Sequence, residues 1–206
     1  MIDNIDIIKP LLSFDDEGDF YMLYIFVRKK DQTTDKANHQ SVRTIKSYCI
    51  DSTEHLEKRY DEIKKLAEMF RARVYIHIQK QNHKDVAMDM IVAIADRIKS
   101  GQINQKYVFD SVVGSVKARE KRWIVDVDVD KFNGSNAEMA FYINVHCMPF
   151  YQRKIISVVP TPNGVHLITK GFDVAKFKER YPYIEIHKKN PTLLYYPESL
   201  NESGEG

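Results

Sequence analysis

The chain alternates between short apolar runs that suit strands and longer stretches in which apolar residues recur every three or four positions. Phe20 to Val27 (FYMLYIFV) is a nearly unbroken apolar run of strand length. Arg43 to Ile50 predicts a second strand, reached across a polar loop from Lys29 to Gln40 that has no apolar face to bury. Leu56, Tyr60, Ile63, Ala67 and Phe70 then repeat at helical spacing, with Asp51 and Glu54 spaced as a capping box. A strand from Arg73 to Gln79 follows. Val86, Met90, Ala93, Ile94 and Ile98 give a second amphipathic helix, which Gly101 closes as a C-terminal glycine. Residues 102–120 have no decisive pattern.

The second half alternates again. Trp123 to Asp130 reads as a strand, and Ser135 with Glu138 caps a helix that runs to Cys147 and is stopped by Pro149. Lys154 to Val159 and Val165 to Thr169 form a hairpin around Pro160-Thr161-Pro162-Asn163-Gly164. A short helix near Val174 to Tyr181 and strands at Tyr183 to His187 and Thr192 to Tyr196 complete the pattern. There is no repeat of fixed period.

Composition narrows the class. With 206 residues the chain suits one compact unit, and 43% apolar residues exclude a wholly disordered chain. Two cysteines, Cys49 and Cys147, are too few for a disulfide framework or a four-thiolate zinc site, and they suit a reducing compartment. The acidic N-terminus lacks the pattern of a signal peptide, and no stretch approaches a membrane span, so a cytoplasmic, non-membrane protein is expected. A net charge of +2 gives no global push toward nucleic acid, but bases cluster locally in Lys117-Ala118-Arg119-Glu120-Lys121-Arg122.

The chemistry concentrates in Trp123-Ile124-Val125-Asp126-Val127-Asp128-Val129-Asp130. Period-two alternation puts the three valines on one face and Asp126, Asp128 and Asp130 on the other. Neighbours in that row lie roughly 6.6 Å apart, twice the strand rise, so the carboxylates repel unless a cation lies between them. Hard oxygen ligands of this kind suit Mg²⁺ or Mn²⁺ and the metal-assisted transfer of phosphoryl or nucleotidyl groups. The alternative is an edge strand whose aspartates deter sheet-to-sheet pairing. His166 follows a turn in which Gly164 permits close backbone approach, and its ring can donate to a phosphate oxygen. His77 and His187 read as structural, and Trp123, Phe172, Tyr195 and Tyr196 as core more readily than as stacking platforms.

An Asp126-x-Asp128 strand followed about forty residues later by a strand bearing Asn163-Gly164-Val165-His166 resembles the archaeo-eukaryotic primase superfamily, the primase-polymerase group. The resemblance covers about residues 73–198. Asp126 and Asp128 match its first motif and His166 its second. This chain has Gly164 where a serine is usual. A third acid is expected on a later strand: Glu185 is preferred, with Asp173 the alternative, although Asp173 also reads as a helix cap.

The resemblance implies an α/β (α+β) chain. A small N-terminal α/β lobe with its lead-in segment (1–115) would pack on an RRM-like catalytic lobe with a mixed or antiparallel sheet (116–198), ahead of a disordered acidic tail (199–206). It implies template-directed nucleotidyl transfer with two divalent ions, Mg²⁺ or Mn²⁺, on Asp126, Asp128 and Glu185. His166, Gly164, Asn163 and Lys188 would meet the NTP or dNTP, and Lys117, Arg119, Lys121 and Arg122 a single-stranded DNA template. A bacterial, phage or plasmid setting and a separate helicase or template-binding partner go with such a minimal core. A metal-dependent nuclease and a non-catalytic RRM-like binding module are the rival readings.

Overall fold

The computed structural model describes residues 1–28, 31, 42–102, 104, 108–115, 120–132 and 134–200. In chain order the elements are β1 (Ile2–Asp3), α1 (Ile5–Ile8), β2 (Asp19–Val27), β3 (Arg43–Ile50), α2 (Thr53–Phe70), β4 (Arg73–Ile76), β5 (Gln81–Asn82), α3 (His83–Lys99) and α4 (Val108–Ser115). There follow β6 (Arg122–Asp128), α5 (Asn136–His146), β7 (Ile155–Thr161), β8 (Gly164–Lys170), α6 (Val174–Arg180), β9 (Glu185–His187) and β10 (Thr192–Tyr196). The chain is α+β, built on two antiparallel sheets. The first is ordered β1-β10-β4-β2-β3, with β5 paired to the start of β2, and the second β7-β8-β6-β9.

Strand β2 is buried on both faces, which is why it reads as an unbroken apolar run. Tyr21, Leu23 and Ile25 pack against Leu56, Tyr60, Ile63 and Ala67 of α2. Phe20 and Met22 meet α3 and α4 through Val86, Val108, Val112 and Val113. Helix α3 buries only that narrow stripe and leaves Met88, Ile91, Val92 and Ile98 exposed. No helix among the described residues is long and apolar enough to cross a membrane.

The second sheet is also covered on both faces, but by different partners. Val125, Val127 and Leu167 face α5 and α6 through Met139, Tyr142, Ile143 and Phe177. On the other face Ile124, Val159 and Ile168 join the core of the first sheet beside Ile8, Leu194 and Tyr195. Asn4, fully buried, ties the sheets together. Its Nδ2 donates to the Pro160 carbonyl at 2.9 Å and the Leu193 carbonyl at 3.1 Å.

Several expectations shift. The boundary at 115/116 does not separate the sheets, because β10 returns to the first one and pairs with β1 and β4. The first long helix is capped by Ser52, whose side chain accepts from the His55 amide, and Asp51 pairs with the His55 ring instead. Strand β6 stops at Asp128: the Lys131 and Phe132 amides both donate to its carbonyl, so the chain turns there, with Val129 keeping one last bond to the Asn163 carbonyl and Asp130 lying in the turn. The hairpin is tighter than read, with Thr161 opposite Gly164 across a two-residue loop. Pro160 is tolerated inside β7 because, among the described residues, that strand pairs with β8 alone, so the missing N–H faces away from the ladder.

Candidate functional site

The register of the second sheet aligns the chemistry. Asp126 at the middle of β6 stands opposite His166 of β8 on one side and Glu185 of β9 on the other. Directly opposed residues share a face, so Glu185, Asp126 and His166 form one cross-strand row. Asp128 lies one row on, opposite Gly164. The row occupies the polar end of the face whose apolar end, Ile124 with Ile168, is sealed against the first sheet.

Side-chain contacts hold this row together. His166 Nε2 is 3.5 Å from Asp126 Oδ1, and His187 Nε2 is 3.7 Å from Asp126 Oδ2 and 3.5 Å from Glu185 Oε2. His166 Nδ1 is 2.9 Å from Thr192 Oγ1, a buried residue of β10, so the first sheet fixes the orientation of a ring on the second. Burial pushes the His166 pKa down against the opposing pull of Asp126. Asp128 is raised above its ordinary value, by burial first and then by the neighbouring Asp126 charge. Glu185 is lowered, chiefly by a hydrogen bond from Lys131.

Lys131 brings a cation to the cluster: its Nζ lies 2.8 Å from Glu185 Oε1 and 3.8 Å from Asp128 Oδ2. Among the described residues no group of three or more His, Cys, Asp and Glu side chains is gathered into a ready metal centre. Carboxylate oxygens are nevertheless donors of the kind a hard divalent ion takes, and Asp126, Asp128 and Glu185 share one face of two adjacent strands, with Lys131 standing there as their counter-charge.

The other sequence-predicted residues are distributed more widely. Asp173 accepts from the Lys176 amide as the N-cap of α6, a helix packed on the valine face of the sheet, away from the acid row. Asn163 is in the hairpin loop, where its carbonyl accepts from the Val129 amide. Lys188 lies over the Trp123 ring at 4.7 Å. Arg122 is engaged by Glu120 at 2.8 Å and by the Leu11 carbonyl, Lys121 is exposed, and Lys117 and Arg119 lie outside the described residues. Tyr195, Tyr196 and Phe172 are core residues.

Sequence reasoning missed Lys131 and Thr192 and took His187 as structural. A lysine after a strand end carries no signal of its own. The alternation Glu185-Ile186-His187 did put His187 on the acid's face, and that was the usable clue. No protein-family model matches the chain, and neither a curated protein nor a solved structure matches it.

Proposed function

We propose that the chain is a template-directed nucleotidyltransferase of the primase-polymerase type, with the second sheet as an RRM-like catalytic unit. Its element order, β6-α5-β7-β8-α6-β9, is a split βαβ arrangement with both helices on one face. The observation that carries the reading is the cross-strand row of Glu185, Asp126 and His166, with Asp128 beside it on the central strand. The substrates on this reading are an NTP or dNTP and a single-stranded template.

Asp126, Asp128 and Glu185 would hold the divalent ions. When bound, Mg²⁺ or Mn²⁺ supplies activation of the attacking 3′-hydroxyl and neutralises charge on the departing pyrophosphate. For Glu185 to bind metal, Lys131 would have to release it, and its ammonium could then pair with a phosphate oxygen of the substrate. A neutral His166 ring that accepts from the Thr192 hydroxyl at Nδ1 would carry its proton on Nε2 and donate a hydrogen bond from it to a phosphate oxygen of the incoming nucleotide. Thr192 would thereby hold the ring in the tautomer that this contact needs.

The test is incubation of the folded protein with primed and unprimed templates, NTPs or dNTPs, and Mn²⁺. Chain extension is expected, and Asp126→Ala and Asp128→Ala should each lower it at least about a hundredfold at unchanged circular dichroism. Asp130→Ala should remain active, since Asp130 lies beyond the strand end. Strand cutting in place of extension would make the site a nuclease, and nucleic-acid binding with neither activity would make the sheet a binding module.

A further inference from the structure

A groove of about 260 Å³ opens beyond the end of β6 and the start of β9, on the side of α5 and α6, walled by Lys131, Phe132, Glu138, Arg180, Tyr181 and Tyr183 among others, and it meets the acid row at Lys131. Lys131 belongs to both places, since it lines this groove and pairs with Glu185. Arg180 is held over the rings of Tyr142 and Tyr181, at 5.1 and 5.7 Å, and no carboxylate lies within ion-pair distance of it among the described residues. Tyr183 is 79% exposed, and no other ring stacks on it among the described residues. A flat aromatic face, two cations and the Glu138 carboxylate together suit a nucleotide: a ring to stack, a phosphate to neutralise and a base amino group to accept from.

We propose that this groove seats the 3′-terminal nucleotide of the acceptor strand, an inference that rests on the nucleotidyl-transfer reading of the acid row. In phosphoryl transfer the attacking and leaving oxygens lie on opposite sides of the transferred phosphorus. His166 stands on the β8 side of Asp126, and Glu185 with Lys131 on the β9 side. With the triphosphate against His166, the hydroxyl has to arrive from the β9 side, where the groove opens. Tyr183 then stacks on the terminal base, Arg180 meets the phosphate behind it, and Lys131 lies between the acceptor and the metal-binding acids.

The test uses the full chain with a primer–template duplex labelled on the template. Affinity is read by fluorescence anisotropy without nucleotide, and KM for primer and for nucleotide by extension in Mn²⁺. Tyr183→Ala and Arg180→Gln should each weaken primer–template binding about tenfold and raise the primer KM, with the nucleotide KM unchanged. Tyr183→Phe should bind as the parent does, and His166→Ala should raise the nucleotide KM alone. Tyr183 is exposed, so its replacement leaves the packing intact. If the parent extends primers but both variants keep the parent's primer affinity, or raise the nucleotide KM instead, the acceptor assignment is overturned while the activity stands. If the parent extends nothing, the activity itself falls and takes the assignment with it.

Discussion

A Cβ placed on Gly164 would lie 2.0 Å from the Val127 carbonyl oxygen, and the atom in its way is backbone, which cannot rotate aside. This explains why a glycine stands where the resemblance leads one to expect serine: the hairpin is pressed onto the central strand where Asp128 begins its turn. Gly164→Ala should therefore cost at least about 2 kcal/mol in urea denaturation, because the strand pair must part to admit a methyl group. An unchanged midpoint would mean that the hairpin shifts freely. His77 gives a residue-scale test with pH. Its ring lies edge-on to Tyr24 at 5.7 Å, and burial pushes its pKa down to about 4. The unfolded chain takes up this proton from about pH 6.5, before the folded protein does, so the stabilisation is complete above that pH and is lost as pH falls toward 4. Across that window the loss should be ~3 kcal/mol, and His77→Gln should remove this part of the slope. Equal slopes in parent and variant would show that the ring titrates freely. Period-two alternation puts Asp126 and Asp128 on one face, whereas His166 and Glu185 are expected from the resemblance. Lys131 and Thr192 follow from neither, since they arrive from a turn and from another sheet.

At the scale of elements, local signals placed most strands and helices but erred where a turn or a long-range contact sets the boundary. The aspartate row was read through Asp130 because the alternation itself continues; the turn closed on the Asp128 carbonyl is what ends β6. The link from α5 to β7 shows a device that pattern reading does not detect. Lys154 is 1% exposed, and its Nζ donates to the carbonyls of Asn144 at 2.9 Å, Gln152 at 3.2 Å and Pro149. Its own amide donates to Asn144 Oδ1 at 2.7 Å. The lysine thus satisfies carbonyls at the end of α5 and in the following loop, at the expense of burial that pushes its pKa down. Lys154→Met keeps the stem and leaves those carbonyls without their donor, so it should cost about 3 kcal/mol and raise amide exchange across residues 145–153 first. A variant with parental stability and exchange would show that water replaces the ammonium.

For the whole molecule, the resemblance implies an N-terminal α/β lobe packed on an RRM-like lobe, divided at 115/116. Strand partners are not written in local periodicity, and the last strand, β10, closes the first sheet between β1 and β4. The core therefore crosses the expected boundary: Ile124, Val159 and Ile168 from the second sheet belong to the cluster that holds Leu23, Val74 and Leu194. Each such side chain contributes about 1.5 to 3 kcal/mol by burial, so the three together contribute roughly 5 to 9 kcal/mol, comparable to the whole net stability of a typical domain. Residues 116–198 made alone would expose those three residues, lose the Asn4 bridge and carry β10 with neither partner. That fragment should lack a cooperative transition and give a poorly dispersed amide spectrum, whereas the full chain should unfold in one step with coincident far-ultraviolet and near-ultraviolet probes. A well-dispersed, cooperatively melting fragment would mean that the second sheet is self-sufficient and the shared core dispensable. The same coupling bears on the site. Thr192 holds His166 from the first sheet, so loosening the junction between sheets should disorder that ring before it disturbs Asp126 and Glu185, which the second sheet aligns by its own register.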